Sequence, residues 1–417
     1  MSIHGAYGYF PRCERGFVRA AILLVVVVAG PRILGANEEA AERFEAHGVV
    51  VDRDFPGGAF AAVRAVSETE FELTIRPENV PINNSAWYAF RVTSEEPRTI
   101  RVTLRYRNGR HRYPPRVSQD GVGWTRLPAE AVQAEQQAAT LQLDVGPEPL
   151  WVAAQELLTS CKINAWMAEG AERSFAEKSL IGQSLEGRPI HQLRIGNPEA
   201  EDVLFIIGRQ HPPEVTGSLG LQHFVDTLAG DSRRAGEFRR RFQTIVIPLV
   251  NPDGVERGYW RHNVGGVDLN RDWGPFAQPE TQVVRDQLLV FAEPDGPRLH
   301  AFLDFHSTHR DVFYIPSDDS GFFSAGLTER WLDAIQTRFP DYPVRSSPFN
   351  VRRPLATRWV TRTLNTTAII YEWGDRTPRE TIARVASGAA EELMQLLLED
   401  RESPAPTEQE PETAEVP

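Results

Sequence analysis

VLFIIG at residues 203–208 runs straight into RQHPPE at 209–214. The first half is a short, unbroken apolar run, the pattern of a strand buried on both faces. The second half is polar and sets an imidazole and a carboxylate two residues apart. Three later runs have the same form: TIVIPLVN (244–251) leads into Pro252-Asp253-Gly254, AFLDFH (301–306) ends on His306, and TAIIYEW (367–373) carries Glu372. Helix-like stretches lie between them, SLGLQHFVDTLAG (218–230), TQVVRDQLLVFAE (281–293) and TERWLDAIQTRF (328–339). Strands alternating with helices predict an α/β layer on a largely parallel sheet, and ligands bind such sheets beyond the carboxyl ends of the strands.

Upstream the texture is different. HGVVVDRD, GAFAAVRAV, EFELTIRP, AWYAFRVT, RTIRVTLRY and ATLQLDVG, between residues 45 and 150, alternate apolar and polar residues and are separated by Gly, Pro, Asn and Asp clusters. Six short alternating runs without a helical pattern predict an all-β sandwich at residues 37–150, ahead of a catalytic layer at 151–398. No titratable cluster in the sandwich suggests chemistry.

The ends read simply. Arg12, Arg15 and Arg19 precede the apolar run Ala20 to Gly30, and the small residues Gly35 and Ala36 follow. Eleven apolar residues fall short of the roughly 20 that span a bilayer, so residues 1–36 are expected to be a signal peptide. That places the protein in a bacterial periplasm or outside the cell; the alternative is a membrane anchor through residues 20–30. The chain has two cysteines, Cys13 and Cys161, and cleavage would leave Cys161 alone, with no intramolecular disulfide. From 399 the chain is rich in Pro, Glu and Thr, and residues 399–417 are expected to be a disordered tail. A formal net charge of −12 argues against a nucleic-acid partner, which needs a basic surface.

His211 and Glu214 can reach one ion from a single turn, and His306 from a distant strand makes two imidazoles and one carboxylate. Three protein ligands leave the fourth position of Zn2+ open for water, the arrangement of a catalytic site. Alone, H-x-x-E is a common surface pairing and a lone histidine is more often structural; the three gain meaning together, at successive strand ends. His309 reads as a neighbour of the site or a surface residue, and no H-E-x-x-H is present.

Taken together, H-P-P-E, N-P-D-G, V-D-L-N-R-D-W (267–273), His306 and the late Glu372 resemble the zinc carboxypeptidases. The order is similar to the cytosolic-carboxypeptidase-like branch, which also carries a β-sandwich before its catalytic domain. The resemblance, over residues 45–395, implies a zinc-carboxypeptidase-like mixed sheet with flanking helices. It implies one Zn2+ on His211, Glu214 and His306, with Glu372 as general base. It implies that Arg261 polarises the scissile carbonyl, and that Asn270 and Arg271 receive the C-terminal carboxylate of a peptide or protein substrate. Pro213 stands where the family has glycine, and the family's substrate-closing phenol has no secure counterpart, Tyr371 and Tyr342 being the candidates. Arg358, in A-T-R, loosely resembles a family motif associated with acidic C-terminal side chains. With Arg352, Arg353 and Arg362 nearby it suggests removal of C-terminal Glu or Asp, against the alternative of a charged solvent-facing stretch. Two rival functions are an aspartoacylase-like deacylase and an inactive binding module on the same fold.

Overall fold

The computed structural model describes residues 42–402 apart from 319, 320, 323 and 351. The proposed signal peptide (1–36) and residues 403–417 of the proposed tail lie outside the described residues. Among the described residues no helix is long and apolar enough to cross a membrane.

Eleven strands build the N-terminal sandwich: β1 (Arg43–Ala46), β2 (Val49–Asp52), β3 (Ala62–Ala65), β4 (Glu70–Ile75), β5 (Ala89–Ser94), β6 (Arg98–Tyr106), β7 (Arg116–Ser118), β8 (Thr125–Arg126), β9 (Val132–Ala134), β10 (Ala138–Val145) and β11 (Leu150–Ala153). They form one sheet ordered β1-β2-β5-β11-β7-β8 and a second ordered β3-β4-β6-β10-β9. Alternation does the work. Ile100, Val102 and Leu104 of β6 point into the core with Phe71 and Leu73 of β4, while Arg101 and Arg105 face solvent.

The catalytic layer follows on a single eight-stranded sheet. Its strands are β12 (Ala176–Gln183), β13 (Pro189–Gly196), β14 (Asp202–Gly208), β15 (Phe242–Ile247), β16 (Arg298–Thr308), β17 (Val312–Ile315), β18 (Ser346–Pro348) and β19 (Thr367–Gly374), ordered β12-β13-β15-β14-β16-β19-β17-β18. The central four, β15-β14-β16-β19, are parallel; β12 and β13 run antiparallel to their neighbours, and β17 is antiparallel to β19 but parallel to β18. The sheet is therefore mixed, as the family resemblance implied.

Helices cover both faces: α1 (Ser160–Gly170), α2 (Val215–Leu228), α3 (Arg233–Arg241), α4 (Pro252–Glu256), α5 (Pro279–Leu288), α6 (Leu327–Arg338), α7 (Ala356–Leu364) and α8 (Arg379–Glu402). All seven residues of β14 are buried, because the two faces have different covers. Leu204 and Ile206 pack under α2, α6 and α8, and Val203, Phe205 and Ile207 pack under α5 and α7. Burial of one such side chain contributes roughly 2–3 kcal/mol, so the unbroken apolar run is what a two-sided strand requires.

Three sequence expectations change. β16 does not stop at His306 but continues with β19 to Thr308, because the two strands pair in register through Ser307↔Trp373 and Thr308↔Gly374. The tail does not begin at 399: α8 runs to Glu402, its last turns held by buried Leu397 and by a fork of Arg330 onto both oxygens of Asp400 (2.7 and 2.6 Å). Cys161, expected to be lone, is not a free thiol; that expectation rested on removing Cys13, which lies outside the described residues.

Candidate active site

β14 delivers its chain into a tight turn. Arg209 takes φ 57°, and Asn251 ties the turn down by donating to the Gln210 carbonyl (3.1 Å) while accepting from the Gly254 amide (2.9 Å). Gly254 is required there, since a Cβ would stand 2.6 Å from the Pro212 ring. Glu214 is the N-cap of α2, so the helix carries the carboxylate over the end of the sheet. Gly217, in the first turn of α2, lets that helix approach the β16 backbone; a Cβ would meet the His306 carbonyl at 2.5 Å.

Three donor groups converge as a result. Oε1 of Glu214 lies 2.8 Å from His211 Nδ1, and its Oε2 lies 2.7 Å from His306 Nδ1. One ligand atom from each of the three falls within 4.8 Å of the others, and all three side chains are buried. The outward nitrogens are held as well: Asp268 meets His211 Nε2 at 3.0 Å and Asp304 meets His306 Nε2 at 2.9 Å. Carboxylates behind the imidazoles fix their orientation and strengthen them as ligands. Burial disfavours charge on His306, yet Asp304 and Glu214 outweigh it and hold its pKa well above the ordinary value. A buried group that selects positive charge and offers two imidazole nitrogens and a carboxylate fits Zn2+.

The cleft in front of these groups holds about 330 Å³ and is lined by Arg261, Asn270, Arg271, Tyr314 and Glu372, among others. Glu372 sits beside His306 on the neighbouring strand in exact register, facing the same side of the sheet. Its Oε2 is buried without a hydrogen-bond partner. Burial, opposed by His306 and helped by Glu214 and Asp304, pushes its pKa up to about 8; a dication alongside would draw it back down. Arg261 donates through Nε to Asp268 (2.7 Å), which therefore bridges it to His211. Asn270 accepts from the Ala356 amide at the start of α7 (3.0 Å) and directs its Nδ2 toward His306 (3.3 Å). Arg271 does not pair with Asp272, whose carboxylate instead accepts from Ala277, Gln278 and Thr281.

Comparison with known proteins agrees with this geometry. Residues 163–359 match the zinc carboxypeptidase family, and residues 51–154 match the cytosolic carboxypeptidase N-terminal domain. Residues 163–359 thus form a zinc carboxypeptidase domain. Among relatives, cytosolic carboxypeptidase 6 of Caenorhabditis elegans is 24% identical over 285 residues, covering 62% of this chain and 62% of that protein. The Homo sapiens protein of the same name is 25% identical over 286 residues, covering 62% and 57%. The chain thus spans about three fifths of the length of these relatives. The fold matches a metallo-carboxypeptidase from Burkholderia cenocepacia, with TM-score 0.69, 21% identity, and coverage of 85% of this chain and 100% of that one. A Pseudomonas aeruginosa metallo-carboxypeptidase, solved with (2-guanidinoethylmercapto)succinic acid, gives TM-score 0.68 at 22% identity, covering 84% and 99%.

In this domain the structure gathers His211, Glu214, His306, Glu372, Arg261, Asn270 and Arg271 around one cleft. It does not do so for every expected residue. Tyr371 lies on the opposite face of β19, fully buried and stacked on Phe313 at 4.1 Å, because neighbours along a strand alternate faces. Tyr342 is also buried in that far core. The phenol in the cleft is Tyr314 of β17, half-buried on the same face as Glu372. Arg358 does not line the cleft; it stands half-buried on α7, its Nε unpartnered, while Arg353 does line it. His309 is exposed, 3.9 Å from Asp375.

Sequence reading passed over Asp268, although its signal, an acid two residues before Asn270, was inside the V-D-L-N-R stretch. It also passed over the sandwich. Asn83, Ser85 and Arg112 reach the cleft wall, and Arg112 forks onto Asp375 (2.8 and 3.2 Å). Nothing local in the sandwich marks these residues, since their role exists only across the contact between the two layers.

Proposed function

We propose that this protein is a zinc-dependent carboxypeptidase that removes the last residue from peptides or proteins with a free C-terminus. The observation that carries this is Asn270 and Arg271 lining the same cleft as the buried His211–Glu214–His306 group. His211, Glu214 and His306 would hold Zn2+, which would supply the Lewis acid for an attacking water and a scissile carbonyl near neutral pH. Arg271, a planar guanidinium, forks onto the substrate carboxylate with help from Asn270, which registers the terminal peptide bond over the ligand group. Arg261, fixed by Asp268, faces the carbonyl oxygen as negative charge develops on it. Glu372 takes the proton of the attacking water and returns it to the nitrogen of the leaving residue.

Preference for acidic terminal residues is part of the proposal, supported by Arg271 and Arg353 on the cleft wall. Export through residues 1–36 to a periplasm or exterior is also proposed, supported by their basic, apolar and small-residue pattern. The test is hydrolysis of matched peptides ending in Glu, Leu and Lys, each with a free or amidated terminus. The expected result is cleavage of free termini only, fastest for Glu. Equal rates on all three would remove the acidic preference. Cleavage of amidated peptides, or of N-acyl amino acids with no peptide hydrolysis, would overturn the carboxypeptidase reading.

A further inference from the structure

The segment that carries Arg261 is gripped by the N-terminal sandwich rather than by the catalytic sheet. Trp260 is buried in the sandwich core, with its indole nitrogen donating to the Trp87 carbonyl (3.2 Å). Gly109 is where the sandwich opens to admit that ring, since a Cβ there would stand 2.6 Å from it. Beside this plug, Glu78, in the loop between β4 and β5, turns its carboxylate onto three consecutive amides. Oε2 accepts from Trp260 (2.8 Å), and Oε1 accepts from Arg261 (2.9 Å) and His262 (2.7 Å). The side chain of Glu78 is only 4% exposed, with His262 Nδ1 at 3.3 Å. One residue further on, Asn79 donates to the Gly266 carbonyl (3.1 Å), so the loop grips both ends of the stretch between Trp260 and Gly266. Burial alone would raise the Glu78 carboxyl, but His262 and the amides outweigh it and hold the pKa below the usual range. Charge-assisted bonds to backbone are roughly twice as strong as neutral ones, and three on one carboxylate leave the 260–262 backbone little freedom.

With Trp260 plugged into the sandwich and its amide fixed, the next side chain is thrown the other way, into the cleft. There the Arg261 guanidinium meets Asp268 and lines the wall. We propose that Glu78 is a positioning residue for catalysis: the sandwich holds Arg261 in place and so forms part of the active site of the catalytic domain. The proposal rests on the reading of Arg261 as the group that polarises the carbonyl. Glu78 touches no substrate; it acts through the arginine.

The experiment is a double-mutant cycle in the full chain, with Glu78→Ala, Arg261→Ala and the combination, plus Glu78→Gln, which keeps one acceptor. Zinc content, kcat and KM are read on a free-terminus peptide. Arg261→Ala is expected to lower kcat by about a hundredfold, the scale for losing one oxyanion donor. Glu78→Ala should lower kcat by at least about tenfold, with zinc retained and KM moved less. Glu78→Gln should fall between it and wild type. The double mutant should be no slower than Arg261→Ala, because residues acting as a unit are not additive. Unchanged kcat in Glu78→Ala beside an impaired Arg261→Ala overturns the proposal, as does a double mutant slower by the full product of the two single effects. If Glu78→Ala does not fold, Glu78→Gln in the same cycle decides by the same criteria. Full activity in Arg261→Ala would instead sink the reading of Arg261, and with it this proposal.

Discussion

The two β-rich regions of the chain solve burial in opposite ways. Sandwich strands such as β6 bury every second residue, so half of each strand is free to carry charge such as Arg101 and Arg105. β14 and β16 bury nearly everything, including Asp304 and His306, because helices cover both faces. The lesson is about where chemistry can stand. In the sandwich a polar side chain is cheap and mostly idle; in the eight-stranded sheet it must be partnered, at the strand starts as Asp202 is by His300 and at the cleft end as His306 is by Asp304. The two regions are not separable in function, however, since Glu78 and Arg112 reach across to hold the catalytic side.

Breaking the comparison at its strongest point means removing a buried ligand. His306→Ala is expected to lose the zinc and to lower kcat by at least about a thousandfold, while the sandwich stays folded. Metal analysis and peptide hydrolysis check both halves, and full zinc occupancy in this variant would count against the ligand set. Removal of zinc by a chelator should abolish turnover in the wild type, and added Zn2+ should restore it.

Most of this architecture could be read before the structure. Two-sided strands announce themselves as unbroken apolar runs, as at 203–208 and 301–306, and the sandwich announces itself by alternation, as at 98–106. Site residues were legible where they end such runs or belong to a recognisable stretch, hence His211, Glu214, Glu372 and Arg271. What could not be read was which face a residue takes late in a strand. Tyr371 and Glu372 are neighbours in sequence, yet one is sealed in the core and the other opens on the cleft. Register across β17 and β19, which puts Tyr314 on the cleft face, is likewise a property of pairing and not of either strand. Arg358 failed for the same reason, since nothing in A-T-R fixes the rotation of α7.

The contact between the regions offers a second, smaller test. Arg112 and Asp375 form a pair with side chains 8% and 5% exposed. Arg112→Met leaves Asp375 buried and uncompensated, and should destabilise the protein by about 3–5 kcal/mol, measured by urea unfolding. A loss below about 1 kcal/mol would show that the layers do not depend on this pair. The smallest effect belongs to the sandwich surface. Arg64, 62% exposed, pairs with Glu72 across β3 and β4. Arg64→Ala should change stability by less than about 1 kcal/mol and leave kcat unaltered, and a large effect would mean that the idle face is not idle.

The central claim is that a buried His–Glu–His group holds zinc while Glu372, its neighbour on the next strand, moves the proton. It is tested most directly by Glu372→Gln, with zinc content and peptide hydrolysis measured on the same preparation. The account expects one zinc per chain, as in wild type, with kcat reduced by about a hundredfold to ten-thousandfold. Retained zinc with undiminished turnover would contradict it.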